Sequence, residues 1–385
     1  MFNVLTLNKI SASGLSNFDS NLFACSDSIE NPDAIIVRSA SMHEMELPSN
    51  LLAVARAGAG VNNIPIDKCT ENGICVFNTP GANANAVKEL VICALFLTSR
   101  KVVAGAKWCE TLKGNGDQVS KLVEKGKSSF AGPEILGKTL GVVGLGAIGI
   151  LVANAAKALG MKVIGYDPFL SDKTAALLDS GITVTANLDD IFTSCDYITL
   201  HAPLTDATRG IIGKDNFAKC KDSVRVLNFA RAELVNSADM LEALASGKCA
   251  AYATDFATDE LLGAEGVTAL PHLGASSPEA EENCAVMAVN QLAMYLKDGN
   301  VKNSVNLPEL ITDKCGNVRL TVMSNGDITD ALKNALEQAG IVLNNSANAV
   351  KKSVGYAVFD TDTQITDDVI EKIKEIDGVI SLRII

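Results

Sequence analysis

The stretch Gly144-Leu-Gly-Ala-Ile-Gly149 constrains this chain more than any other, because of what flanks it. Ahead of it, Lys138-Thr-Leu-Gly-Val-Val-Gly144 is a short β-branched run that ends at the first glycine. Behind it, Ile150-Leu-Val-Ala-Asn-Ala-Ala-Lys-Ala-Leu-Gly160 is an alanine-rich helical segment closed by a glycine. A second strand, Met161-Lys-Val-Ile-Gly-Tyr-Asp167, then ends on an acid 18 residues past the last glycine. Strand, glycines, helix, strand and acid in this order predict a dinucleotide site. Gly144 permits the tight turn, Gly146 lets a pyrophosphate approach the backbone, and Gly149 lets helix pack on strand. The helix N-terminus supplies free N–H groups and the positive end of its dipole to the phosphates. Asp167 suits ribose hydroxyls and repels a 2′-phosphate, and no Arg or Lys follows it before Lys173. NAD is expected rather than NADP.

With 385 residues, 48% of them apolar, the chain can build two or three domains with substantial cores. A net charge of −12 without a basic run disfavours nucleic acid and acidic membranes as partners. No apolar run reaches spanning length, and Met1-Phe-Asn-Val-Leu-Thr-Leu-Asn alternates like a strand rather than a signal peptide. The ten cysteines form no CxxC pair, and several (Cys75, Cys93, Cys249, Cys284) lie in apolar runs. They read as small core residues of a reduced, cytoplasmic protein. No His/Cys cluster has metal-ligand spacing, so no metal is expected.

Short strands at 2–7, 34–38, 53–56 and 74–77 predict a smaller α/β lobe, flavodoxin-like, over 1–97. An apolar segment at 86–112 has helical periodicity and predicts one long helix. Strands at 197–200, 224–228, 250–254 and 268–270 continue the cofactor domain, 98–273, as a doubly wound, Rossmann-like parallel sheet. The helix at 278–297 is expected to return to the first lobe, completing it with about 274–303. Over 316–385 the pattern becomes strand, helix, strand, strand, helix, strand, a ferredoxin-like βαββαβ unit.

Only three histidines are available for proton transfer. His43 lies in a polar turn. His201 and His272 each follow a strand, where cofactor crevices open in such sheets. Small residues after His272 admit a cofactor, and a neutral imidazole suits removal of a hydroxyl proton as hydride leaves. Arg231, just past a strand, suits a two-pronged grip on a carboxylate. Asp255 ends another strand, with Asp259 and Glu260 close behind, and an acid bonded to the imidazole would fix its tautomer.

Four stretches carry a family resemblance: 131–149, Leu200-His-Ala-Pro-Leu-Thr205, Asn228-Phe-Ala-Arg231 and Pro271-His-Leu-Gly-Ala-Ser-Ser-Pro-Glu-Ala280. The chain resembles the D-isomer-specific 2-hydroxyacid dehydrogenases, in the phosphoglycerate-oxidising branch with one ACT domain directly after the dehydrogenase part. The resemblance implies NAD-dependent oxidation of a small phosphorylated 2-hydroxy acid by a homodimer or homotetramer. It implies a catalytic trio of Arg231, Glu260 and His272, with Asp259 as a substitute for Glu260 because Asp255-Phe-Ala-Thr-Asp-Glu departs from the family pattern. It implies that Asp255 meets the nicotinamide carboxamide, and that Ala147, Ile148, His201, Phe229, Ala230, Gly274 and Ala275 lie against the cofactor. Val37-Arg-Ser-Ala40 and Arg56-Ala-Gly-Ala-Gly60 resemble substrate-facing loops, so Arg38, Ser39, Arg56 and Gly58 are expected at the substrate. Two guanidinium groups there suit a phosphate plus a carboxylate. Unphosphorylated-acid dehydrogenases of the glyoxylate, hydroxypyruvate or D-lactate type, and a non-catalytic NAD sensor, are the rival readings. In the tail, Met323-Ser-Asn-Gly-Asp327 lacks the family's histidine and its Arg-Pro-Gly turn, and Val342 stands where an asparagine is expected. Weak or absent serine binding is therefore expected, with the tail joining chains through sheet and helix faces.

Overall fold

Runs of β-branched and small apolar residues build three sheets in the computed structural model, which describes residues 1–385. The first sheet is wholly parallel. It contains β1 (Phe2–Leu7), β2 (Phe23–Ser26), β3 (Ala34–Val37), β4 (Ala53–Arg56) and β5 (Cys75–Phe77), in the order β2-β1-β3-β4-β5. This is the flavodoxin-like order. β3 reads Ala-Ile-Ile-Val and buries all four side chains, as a strand covered on both faces must.

The second sheet is parallel and seven-stranded. β6 (Thr139–Val143), β7 (Lys162–Tyr166), β8 (Thr183–Thr185), β9 (Tyr197–Leu200), β10 (Val224–Asn228), β11 (Cys249–Thr254) and β12 (Val267–Ala269) stand in the order β12-β11-β10-β9-β6-β7-β8. The order reverses between β6 and β9, which opens a crevice at the carboxyl ends of those two strands. The third sheet is antiparallel: β13 (Val318–Asn325), β14 (Leu343–Lys351), β15 (Val354–Thr361) and β16 (Val379–Ile384), ordered β14-β15-β13-β16. With helices Thr329–Gln338 and Asp367–Lys374 it forms the expected βαββαβ unit.

The chain divides into two compact units, residues 1–83 with 278–385, and residues 84–277. The sequence places these cuts near 97/98 and 273/274 and sets 316–385 apart; the antiparallel sheet instead belongs to the first unit. Helix Ala84–Arg100 goes with the second unit because it packs on helix Ala147–Ala158 and on β10 and β11. The single helix expected over 86–112 is broken at Lys101, whose φ of 45° is left-handed. Gly132 passes so close to this break that a Cβ there would lie 1.8 Å from the Ser99 carbonyl oxygen, leaving no room for a straight continuation. Cys93, expected in a core, is exposed, since Val91, Ala94 and Leu95 form the buried face of that helix. No helix is long and apolar enough to cross a membrane.

Within the first unit, helix Pro278–Asp298 lies on β3, β4 and β5 and buries Cys284, Ala288, Leu292 and Tyr295. The Tyr295 ring joins the two sheets of this unit: it lies 5.7 Å from Phe77 and 6.5 Å from Tyr356, under the Arg383 guanidinium at 4.9 Å. Met323, Tyr356 and Val358 therefore share a core with Phe77 and Leu296. The opposite sheet face is covered by Leu332, Leu336 and Ile373. Every residue of β15 is buried, so the sheet face expected to join chains is already occupied within its own chain. The edge strand β14 remains open, with Asn344, Ser346, Asn348 and Val350 exposed in alternation.

One ion pair fastens this unit to the segment that leads into it. Arg319 and Asp360 are fully buried and bond through two oxygens, at 2.6 and 2.9 Å. Arg319 also donates to the carbonyls of Asp298 at 2.8 Å and Thr312 at 3.1 Å, and Asp360 accepts from the Cys315 N–H at 3.0 Å. Burial alone would raise the Asp360 carboxyl, but these donors outweigh it and hold it below the usual carboxylate range. Asp360→Ala, which strands a buried guanidinium, is expected to cost about 3–5 kcal/mol in urea unfolding. The double change Arg319→Met with Asp360→Leu should recover most of it. A loss under about 1 kcal/mol for the single change would contradict this account of the pair.

Candidate active site

The glycine turn after β6 is shaped by close approach. Gly144 has φ 94° and donates its N–H to the Tyr166 carbonyl at 2.8 Å. A Cβ on it would stand 2.7 Å from the Ala202 nitrogen and the His201 carbonyl carbon. A Cβ on Gly149 would lie 1.9 Å from the Gly144 oxygen. Nothing lies within 4 Å of where a Gly146 Cβ would point, so this side of the turn is open. Helix Ala147–Ala158 starts there with no side-chain cap, which leaves the N–H groups of Ala147 and Ile148 to a ligand. Asp167 stands at the end of β7, where one oxygen accepts from the Leu145 N–H and the other from the Phe169 N–H, both at 2.9 Å. Its carboxylate is thereby aimed, with lone pairs left for ribose hydroxyls. These residues fit a dinucleotide.

His201 ends β9 and stands against the same turn. Its N–H donates to the Val143 carbonyl at 2.7 Å, and its Nε2 lies 3.0 Å from the Thr199 hydroxyl. Burial pushes this imidazole down to about 3, so it is neutral near pH 7 and ill suited to act as a base.

The carboxyl ends of β10, β11 and β12 carry the remaining candidates. Asn228 is fully buried and donates to the Arg231 carbonyl at 2.8 Å while accepting from the Ala230 N–H at 3.2 Å. It is a positioning residue to which the motif alone assigns no role: its amide fixes the Phe229–Arg231 turn and leaves the Arg231 side chain exposed. Asp255 accepts from the Gly274 N–H through one oxygen at 3.1 Å, while its other oxygen is buried without a partner. Burial pushes this carboxyl up, against the Gly274 N–H and the nearby His272, which favour its charged form. An unpaired buried acceptor of this kind suits the amide nitrogen of a nicotinamide. The His272 ring meets Phe256 edge-on at 5.1 Å, and Ala275 follows Gly274 in the turn. Glu260 and Asp259 are both exposed in the turn after Thr258, and neither bonds to His272. The structure thus places Arg231, Asp255 and His272 at strand ends, with neither Glu260 nor Asp259 bonded to His272.

In the first unit the two arginines differ. Arg56 donates through Nε to the Arg38 carbonyl at 3.0 Å and through Nη1 to the Gly60 carbonyl, so it braces the loops. Its guanidinium also closes over Gly58, where a Cβ would lie 3.1 Å away. The Ser39 and Ala40 N–H groups are held by the Asn8 side chain at 3.1 and 2.6 Å, with Asn8 at a left-handed φ of 69°. A left-handed asparagine directly after a strand has no sequence motif, which is why its role is visible only in the structure.

The depressed His201 sets a pH dependence. The unfolded chain takes up the proton first, at about 6.5, so stability is full above that pH and falls as pH drops toward the folded value. His201→Gln should remove about 1 kcal/mol of the loss seen in urea unfolding between about pH 7.5 and about pH 5.5. An identical loss in both proteins would contradict the burial account.

Comparison with known proteins agrees with this geometry. Residues 93–274 match the D-isomer specific 2-hydroxyacid dehydrogenase, NAD binding domain. The chain is 33% identical over 334 residues to D-3-phosphoglycerate dehydrogenase of Methanocaldococcus jannaschii, covering 84% of this chain and 60% of that protein. It is 34% identical over 337 residues to the Bacillus subtilis enzyme of the same name, covering 83% of this chain and 62% of that protein. It therefore spans less than two thirds of these relatives' length. The NAD+-bound 3-phosphoglycerate dehydrogenase of Entamoeba histolytica matches with a TM-score of 0.61 and 25% identity, over 80% of this chain and 99% of that one. NAD is the cofactor of the matched domain. Residues 93–274 thus carry the NAD binding domain of the D-isomer specific 2-hydroxyacid dehydrogenases.

Proposed function

We propose that the protein is an NAD-dependent D-3-phosphoglycerate dehydrogenase, which oxidises the 2-hydroxyl of 3-phospho-D-glycerate to 3-phosphohydroxypyruvate and so begins a route to serine. The observation that carries this reading is the extent of similarity. The phosphoglycerate dehydrogenases align over 83–84% of this chain, well beyond the cofactor domain at 93–274. NAD supplies the hydride acceptor. Arg231 orients the substrate carboxylate and the carbonyl that forms, while His272 takes the 2-hydroxyl proton. Glu260, or Asp259 in its place, is proposed to turn onto the imidazolium once substrate is bound, since such bonds often tighten only in the complex. Asp255, the glycine turn and Asp167 hold the two ends of NAD.

NADH formation from a panel of phosphorylated and unphosphorylated 2-hydroxy acids tests the assignment, with 3-phosphoglycerate expected to be oxidised best. His272→Ala should lower turnover by about 100- to 10,000-fold while NAD still binds. Equal use of glycolate, D-glycerate or D-lactate, or near-full activity of the variant, would overturn the reading.

The ten cysteines are unpaired, six of them buried, which supports the cytoplasm as the site of action; disulfides in protein isolated under an alkylating quench would contradict this. A homodimer or homotetramer is supported by helices Val102–Glu110 and Val119–Gly126, which bury no side chain although they carry Val102, Trp108 and Leu122. The antiparallel unit is read as an ACT domain with weak or absent serine binding. Asn344 already donates to Asp362 at 2.8 Å, and Asn345 to Thr312 at 3.0 Å. Sedimentation as a single chain, or micromolar serine binding by calorimetry, would refute these two points respectively.

A further inference from the structure

Arg38 carries an ion pair that the substrate-reading role does not require. Its Nη2 lies 2.8 Å from Glu281 Oε1, and the two side chains are 34% and 41% exposed. Glu281 lies in the first turn of helix Pro278–Asp298. The loop around Arg38 is immobilised by other groups: Asn8 holds the Ser39 and Ala40 N–H groups, Arg56 holds the Arg38 carbonyl, and Asn63 donates to the Ala40 carbonyl at 2.8 Å. Glu281 is therefore not needed to fix the backbone. Its single carboxylate oxygen touches only one edge of the guanidinium, whose remaining N–H groups make no bond within the protein. Arg56, by contrast, spends Nε and Nη1 on carbonyls. Arg38 thus keeps donors with which to read an anion.

We propose that Glu281 is a resident carboxylate ligand of Arg38 that the phosphate end of the substrate replaces, which makes Glu281 the residue that sets how tightly this end holds phosphate. The inference rests on the reading of Arg38 as a phosphate contact. A single-oxygen pair this open to water is weak and is readily exchanged. A phosphate offers nearly two charges and three acceptor oxygens where Glu281 offers one charge and one oxygen. The exchange frees the full planar fork of Arg38 for a two-pronged grip. While it is in place, Glu281 also cancels half of the positive charge that Arg38 and Arg56 bring to the loops. The site then holds its substrate less tightly than two bare arginines would, and releases a product that keeps the same phosphate.

Glu281→Gln keeps an oxygen for Arg38 and removes the competing charge, so it separates displacement from support. The expected result is a KM for 3-phosphoglycerate lowered about 3- to 10-fold, with D-glycerate, which lacks the phosphate, changed less than about 2-fold. On an Arg38→Ala background the same substitution should have little effect, because no guanidinium remains to compete for. A raised or unchanged KM for 3-phosphoglycerate in Glu281→Gln, or an equal gain for D-glycerate, would overturn the proposal. Arg38→Ala alone guards the underlying reading. If it impairs 3-phosphoglycerate and D-glycerate alike, Arg38 does not contact phosphate, and the failure lies there rather than with Glu281.

Discussion

The close approach of backbone to backbone at Gly144 and Gly149 is the constraint on which the rest of the cofactor unit depends. A methyl group at Gly149 would enter the Gly144 carbonyl, and one at Gly144 would enter the His201–Ala202 backbone. Those two contacts seat helix Ala147–Ala158 against β6 and bring the end of β9 beside the turn. From that seating follow the uncapped helix N-terminus, the orientation of Asp167 through Leu145, and the water-poor setting that keeps His201 neutral. A site for a pyrophosphate is thus a by-product of packing that only glycine allows.

Much of this was legible in the sequence because the relevant signals are local. The turn glycines, the β-branched runs and the acid at the end of β7 lie within one βαβ unit, and the strands at 197–200 and 224–228 match the observed β9 and β10 residue for residue. What failed depended on distant neighbours. The break at Lys101 answers to Gly132, some thirty residues on, and nothing in the periodicity of 86–112 reports it. β2 and β8 carry little sequence signal because Phe23-Ala-Cys-Ser26 and Thr183-Val-Thr185 are short edge strands with little alternation. Among the candidate site residues, motif and position single out Arg231, Asp255 and His272, whereas Asn8, which holds the loop after Arg38, and Glu281, which pairs with Arg38, carry no motif. Arg56 shows the same limit: its bonds to the Arg38 and Gly60 carbonyls bring together loops that no local sequence signal joins.

The C-terminal unit shows how a familiar βαββαβ pattern can be put to a different use by its surroundings. Its sheet covers Tyr295 and Phe77 with one face and its own helices with the other, while Arg319 and Asp360 tie it to the segment 298–315. A buried ion pair adds little net stability but makes any other register expensive. The unit is thereby part of the lobe that carries Arg38, and its sheet shares a core with the helix that presents Glu281. Of the faces through which such a unit could meet another chain, the open edge β14 and the outer helix surfaces remain.

The central claim is that hydride leaves carbon 2 of a phosphorylated 2-hydroxy acid for NAD while a histidine takes the hydroxyl proton. The most direct measurement follows the isotope. With 3-phosphoglycerate carrying deuterium at carbon 2, the account predicts that the deuterium appears on the reduced nicotinamide and that oxidation slows under conditions where hydride transfer limits the rate. Reduced nicotinamide formed without deuterium, or no reduction of NAD by this substrate, would contradict it.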